Sequence, residues 1–203
     1  MKKILLTGFT PFDGREQNAS WIAARALAAT SFPGLELRAV LIPVCWGAPG
    51  RILDSTLAEW QPDGIISMGE GEAGVFRLET VARNTRRERP DNDGLCPEGE
   101  RIETNGPESR TASADCAGME RALAAQGIPV KLSADAGAFL CEELLYTLEG
   151  LRVRNEFLHT VLFVHLPPYG TELHYRNQPR ICDEPLLVDF GQRLLQRLVT
   201  TDI

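Results

Sequence analysis

The chain has 203 residues, of which 43% are hydrophobic and 24% charged, with a formal net charge of −7. That length suits one domain that buries a sizeable core, and the composition is that of a globular protein in water. The acidic balance argues against nucleic acid as a partner, since phosphate binding needs a basic face, and no apolar run approaches the ~20 residues of a membrane span.

Taken in chain order, residues 2–7 read as a buried strand and residues 8–14 (GFTPFDG) as a loop dense in turn formers. Residues 20–29 (SWIAARALAA) carry helix formers, with Asn18 as their N-cap. Residues 35–42 read as a long strand ended by Pro43, and residues 48–60 as an amphipathic helix with Ile52, Leu57 and Trp60 on one side. A short strand over 64–68 opens into a loop rich in Gly and Glu, residues 75–82 look extended, and 117–126 form an Ala-rich helix stopped by Gly127. Then come a strand over 130–133, a helix over 138–148 followed by Gly150, a strand over 161–165, and a closing amphipathic helix over 184–199.

Strand and helix alternate over most of this length, which predicts an α/β fold in one domain spanning residues 1–203. Its architecture is a three-layer α/β/α arrangement, a mostly parallel twisted sheet with helices on both faces. In such sheets reactive groups gather outside the carboxyl ends of strands, and Cys141 and His165 each follow a strand. The exception to the alternation is residues 83–115, polar and interrupted by Pro and Gly. An excursion of that length predicts a lid or a surface arm, which can serve as a contact in a homo-oligomer.

The five cysteines, Cys45, Cys96, Cys116, Cys141 and Cys182, are odd in number and scattered, with no CxxC pair. Ile4-Leu5-Leu6 is too short for an export signal, so they read as reduced thiols in a cytoplasmic protein. His159, His165 and His174 show no zinc-ligand spacing with them. Asp91, Asp93, Gly94 and Glu100 fall at calcium-loop spacing, yet Arg89 takes the first-ligand position and no helical patterns flank the loop. Neither a metal nor a cofactor is expected.

Cys141 sits where a strand-like run gives way to a helical one, His165 ends the apolar run Val161-Leu162-Phe163-Val164, and Glu79 lies on an extended segment. A thiol, an imidazole and a carboxylate are the parts of a thiol hydrolase: the thiolate attacks, the imidazole moves the proton, and the carboxylate orients the imidazole. Taken singly, each has a plainer reading. Cys141 can be a buried core cysteine, His165 a satisfied core histidine, and Glu79 a solvent-facing residue of an alternating strand. Gly137 and the helix start beside Cys141 favour the functional reading, because free N–H groups and a positive dipole end stabilise a thiolate and an oxyanion.

Five segments together resemble the pyroglutamyl peptidase I family of cysteine peptidases, which remove an N-terminal pyroglutamate. They are Thr7-Gly8-Phe9-Thr10-Pro11-Phe12-Asp13-Gly14, Glu79-Thr80-Val81-Ala82-Arg83-Asn84, Arg89-Pro90-Asp91-Asn92-Asp93-Gly94, Ala136-Gly137-Ala138-Phe139-Leu140-Cys141, and Phe163-Val164-His165-Leu166-Pro167. The resemblance implies Cys141 as nucleophile, His165 as general base and acid, Glu79 as the acidic member of the triad, and Arg89 near the oxyanion. It further implies a pocket of Phe9, Phe12 and Phe139, with Asn18 and Glu70 contributing to the substrate site, and small peptides with a blocked N-terminus as substrates. The chain departs from the family where Glu70 or Glu72 stands for a Gln, Arg87 competes with Arg89 for the family's arginine, and Glu142 replaces the usual Asn after the nucleophile. Those carboxylates define two alternatives: a thiol amidase of the same fold acting on another N-terminal group, and a catalytically silent binding homologue.

Overall fold

The structure is a computed structural model and describes residues 1–200, with side chains as far as Leu198. In chain order the elements are β1 (Lys2–Phe9), α1 (Ala19–Ala28), β2 (Leu35–Ile42), α2 (Ala48–Glu59), β3 (Gly64–Glu70), β4 (Phe76–Glu79), β5 (Val81–Arg83) and β6 (Ser109–Thr111). After them come α3 (Cys116–Ala124), β7 (Val130–Ser133), α4 (Leu140–Arg154), β8 (Thr160–Leu166), β9 (Glu172–Tyr175), β10 (Gln178–Ile181) and α5 (Glu184–Thr200).

Six strands form the central sheet in the order β2-β1-β3-β8-β4-β7. The first four run parallel, whereas β4 lies antiparallel to β8 and β7 follows β4. The three central parallel strands are almost wholly buried, which is why their sequences are continuous apolar runs rather than alternating ones. Alternate residues still divide between the two faces. Ile4, Leu6, Ile66, Met68, Leu162 and Val164 pack with residues of α1, α3 and α5. Leu5, Ile65, Val161 and Phe163 pack with residues of α2 and α4. This is the expected three-layer α/β/α architecture.

Three expectations need correction, and one element was not anticipated. β1 continues through Gly8 to Phe9, because pairing with β2 extends to Phe9–Ile42. The helix begun near residue 138 starts at Leu140 and runs past Gly150 to Arg154. Gly150 is there for space: a Cβ would meet the Arg110 guanidinium at 3.0 Å. β7 is reversed relative to β8, so Cys141 reaches the carboxyl edge of the parallel strands through the start of α4, not from the end of its preceding strand. Finally, residues 172–181 form a hairpin whose turn, Arg176-Asn177, has positive φ at both positions (53° and 59°).

The polar excursion over 83–115 is fastened along α4. Glu142 Oε1 accepts from Arg83 N (2.6 Å), Glu143 Oε2 from Arg86 Nε (2.8 Å) and Glu149 Oε1 from Ser113 N (2.8 Å). Tyr146 donates through its hydroxyl to Pro107 O (2.8 Å), and the Arg110 guanidinium lies over its ring at 3.7 Å. These carboxylates are buried on a helix otherwise packed in the core, and each is satisfied by a group of the excursion.

Candidate active site

The carboxyl edge of β3 and β8 brings the three groups together. Gly69 and His165 are register partners, as are Arg77 and His165 on the other side, so all three present the same face of the sheet. Glu79, two residues beyond Arg77, shares that face and lies diagonally from His165. Its Oε1 is 2.7 Å from His165 Nδ1. Glu79 is fully buried, so the sequence alternative of a solvent-facing carboxylate is excluded.

With Nδ1 engaged by the carboxylate, the other edge of the ring faces Cys141. A Cβ placed on Gly69 would sit 2.7 Å from Cys141 Sγ and 3.3 Å from His165 Cδ2, the atom bonded to Nε2. Sulfur and imidazole therefore converge above a glycine that leaves them room. Phe163 packs edge-on against the imidazole at 5.2 Å between centroids and fixes its plane. Burial alone would pull the His165 pKa down. The charge and hydrogen bond of Cys141, with those of Glu79, outweigh it and bring the imidazole up to about 9.

Cys141 is half-buried in the first turn of α4, after a strained turn. Gly137 and Ala138 both have positive φ (95° and 52°), a conformation that costs an alanine ~1–3 kcal/mol unless its surroundings hold it. They do so from three sides. Gly137 N donates to Asp135 Oδ1 (3.0 Å), Ala138 N to Glu142 Oε2 (3.3 Å), and Arg87 N to Ala138 O (2.8 Å). Glu142 thus holds the backbone just ahead of Cys141, and burial raises its pKa against the backbone N–H groups that favour its ionised form.

A narrow cavity opens beside the sulfur, lined by Phe9, Phe12, Asn18, Val44, Glu70, Phe139, Leu140 and Cys141. Of the residues expected in the substrate site, only Arg89 is missing from this lining. It lies behind, with its guanidinium over the Phe139 ring at 4.3 Å and paired with Asp13 at 2.5 Å. Arg87 is exposed and contributes its backbone. Asn18 lines the cavity, but its polar atoms serve the fold, accepting from Ser20 N and donating to Thr10 O (both 3.0 Å). Between the two candidate carboxylates, Glu70 faces the cavity while Glu72 is 70% exposed. Glu70 accepts from Tyr169 N (3.0 Å) and pairs with Arg15 (2.7 Å).

Larger depressions exist elsewhere, including one along the β9–β10 hairpin, but it contains none of the three groups. One cluster of metal-capable side chains occurs among the described residues: Cys45, Asp91 and Asp93. Asp91 already accepts backbone hydrogens from Trp46, Asp93 and Leu95, so its oxygens are committed to the loop.

Sequence reasoning did not single out Val44, Leu140, Arg15 or Arg77. The first two look like any core residue. The arginines acquire meaning only when distant strands place them beside Glu70 and Glu79.

Comparison with known proteins accords with this geometry. Residues 2–183 match the profile of a family described as pyroglutamyl peptidase. The pyrrolidone-carboxylate peptidase of Oceanobacillus iheyensis is 32% identical over 98% of this chain and 96% of its own length. Among solved structures, the pyroglutamyl peptidase I of Bacillus amyloliquefaciens is 31% identical, with a TM-score of 0.76 over 83% of this chain and 82% of that one. The pyrrolidone carboxyl peptidase of Fervidobacterium islandicum is 27% identical, with a TM-score of 0.87 over 98% of both chains. With nearly its whole length so matched, the chain belongs to the pyroglutamyl peptidase family.

Proposed function

We propose that the protein is a cysteine exopeptidase that hydrolyses the amide after an N-terminal pyroglutamyl residue, through a thioester intermediate, with Cys141, His165 and Glu79 as its catalytic groups. The observation that carries this is a thiol on the wall of a small aromatic cavity, with an imidazole beside it and a buried carboxylate on the imidazole's far nitrogen. Pyroglutamate is a flat, uncharged lactam. It suits a slot walled by Phe9, Phe12 and Phe139, in which a few polar partners satisfy the ring amide; leaving that amide unpaired would cost ~1–3 kcal/mol.

The sulfur attacks the acyl carbon and the carbonyl oxygen becomes an oxyanion. First-turn N–H groups of α4 supply positive potential there. His165 gives its Nε2 proton to the departing amine, leaving a pyroglutamyl thioester. It then takes a proton from water, which attacks the thioester and frees the thiolate. Throughout, Glu79 accepts from Nδ1–H and keeps the ring in one tautomer. Small peptides with a blocked N-terminus are the substrates, in a cytoplasmic setting that keeps the thiol reduced. No helix among the described residues is long and apolar enough to cross a membrane.

A second reading has its own observation. Glu70 presents a carboxylate, 2% exposed in its side chain, to a cavity where the family carries a neutral amide. A thiol amidase selecting another N-terminal group would suit such a site. Turnover of pyroglutamyl-7-amino-4-methylcoumarin beside a panel of other aminoacyl coumarins separates the two. Hydrolysis of the pyroglutamyl compound above all others is expected. Cleavage of another member with none of the pyroglutamyl compound would establish the second reading.

A further inference from the structure

Glu79 has one hydrogen bond and a second oxygen left over. Its Oε1 meets His165, while Oε2 is buried and without a partner. Beside it, Arg77 Nε is also buried and unpartnered, 3.9 Å from Glu79 Oε1. The outer end of the same guanidinium is held by Glu72, Nη1 to Oε1 at 3.1 Å. Gly71 keeps the space open, since a Cβ there would lie 2.8 Å from His165 Cβ and 3.4 Å from Arg77 Nη2.

From this juxtaposition we infer that Arg77 is a positioning residue for catalysis: a permanent cation that keeps Glu79 ionised and aimed at His165 while the imidazole gains and loses its proton. A fully buried carboxylate with a single hydrogen bond is stable as an anion only beside a positive charge. His165 supplies that charge only while it is an imidazolium. Once it has protonated the leaving amine it is neutral, and Glu79 is then a buried anion with no cation beside it but Arg77. While the ring is protonated, its Nδ1 proton can shift to the carboxylate, which would leave a neutral imidazole carrying its proton on Nε2, the wrong tautomer to take a proton from water there. The fixed charge of Arg77 favours the carboxylate anion at both stages. The ordinary alternative is that Arg77 only anchors exposed Glu72 in a surface ion pair, which contributes little and has no bearing on turnover.

The inference rests on the thiol-peptidase reading, and its test has one arm that needs no turnover. Arg77→Met, Arg77→Lys and Glu72→Gln are compared with wild type for kcat and KM on pyroglutamyl-7-amino-4-methylcoumarin. The far-downfield proton resonance of His165 Nδ1–H is recorded for each. Arg77→Met is expected to lower kcat about 10- to 100-fold with little change in KM, short of the ~10⁴-fold loss that amide replacement of a triad carboxylate produces. Arg77→Lys should recover most of the loss, because charge matters more here than fork geometry. In a Glu79→Gln background, Arg77→Met should subtract almost nothing further. The downfield resonance should be lost or broadened in Arg77→Met and retained in Arg77→Lys and Glu72→Gln. If Arg77→Met lowers the melting temperature while kcat and the resonance stay at wild-type values, Arg77 is structural and the inference is overturned. If wild type does not cleave the substrate, the resonance arm decides the matter alone. Its persistence in Arg77→Met overturns the inference, and its loss there supports it.

Discussion

Replacing Gly69 with alanine isolates the catalytic geometry from the fold. Gly69 is buried in β3 with ordinary strand backbone, so alanine meets no conformational penalty and gains slightly from reduced backbone freedom in the unfolded chain. The added methyl would lie 2.7 Å from Cys141 Sγ, and 3.3 Å from both His165 Cδ2 and Phe163 Cζ. Ordinary contact is about 3.5–4.0 Å, so the sulfur must retreat by about 1 Å and the two rings by a few tenths. The sulfur ends a short side chain at a half-buried position and can swing about χ1 at little expense. The net stability change should therefore stay within about 1–2 kcal/mol, at the low end for overpacking. Catalysis tolerates far less: a reacting atom misplaced by 1 Å costs about 10²-fold. The expected Gly69→Ala protein has near-native circular dichroism and melting temperature, and kcat/KM at least about 100-fold lower on pyroglutamyl-7-amino-4-methylcoumarin. A variant with wild-type kcat/KM would refute the placement of sulfur and imidazole over this glycine, and with it the derivation of the site.

Other expectations are simpler to state. Cys141→Ser and His165→Ala should each reduce turnover by at least about 10⁴-fold; Cys141→Ser should keep the thermal unfolding profile close to wild type, whereas His165→Ala, which takes the hydrogen bond from buried Glu79, should fold but melt lower, and substantial activity in Cys141→Ser would contradict the thioester. Because His165 is raised to about 9 in the folded protein from an ordinary 6.5, its imidazolium contributes stability fully below pH 6.5, and that contribution fades as pH rises through 9. kcat/KM should accordingly fall above about pH 9, and Glu79→Gln, which removes one of the groups raising the imidazole, should move this descending limb to lower pH. Glu143→Gln strips the buried partner from Arg86 Nε and weakens the acceptor for Gly47 N, and urea unfolding should register a loss of about 2–4 kcal/mol, with the 83–115 segment becoming protease-sensitive.

The sequence carried most of the parallel sheet, because buried strands such as 64–70 and 160–166 are apolar runs bounded by turn formers. It carried the cavity walls too, since Phe9, Phe12 and Phe139 sit in motifs whose order and spacing are legible without coordinates. What it could not carry is strand direction. The segment Phe76–Glu79 alternates in the same way whichever way it runs, and nothing local distinguishes a parallel from an antiparallel neighbour of β8. The buried glutamates of α4 were hidden for a related reason. Glu142, Glu143 and Glu149 occupy core positions, and their partners, Arg83, Arg86 and Ser113, come from a segment that reads as irregular. In the same way Gly150 reads as a helix stop until Arg110 is seen lying over it.

Strand direction is also what brings Glu79 to His165 and Cys141. β3 and β4 are separated in the sheet by β8, yet only five residues, 71–75, join them. A parallel return needs a crossover of a dozen residues or more, so a link this short can only double back across the end of β8. Gly71 N bonds Leu166 O at 2.8 Å on that path, which carries the chain directly over His165. The reversed β4 then enters the sheet at the edge where His165 and Cys141 meet and runs away from it. Its second residue, Arg77, is opposite His165, and its fourth, Glu79, is one diagonal step deeper on the same face. Had β4 run parallel to β8, its first residues would lie at the far edge of the sheet, and a carboxylate near the imidazole would have to come from the strand's last residues or the loop beyond, exposed to water. Reversal lets the carboxylate be both buried and adjacent, the combination an orienting anion requires. The short loop between Glu70 and Phe76 therefore bears on where Glu79 meets His165. Lengthening it by two glycines should leave the parallel half of the sheet folded, yet loosen the Glu79–His165 contact and depress kcat more than KM. Unchanged kcat in that insertion variant would show that strand pairing alone, without the short link, sets the geometry.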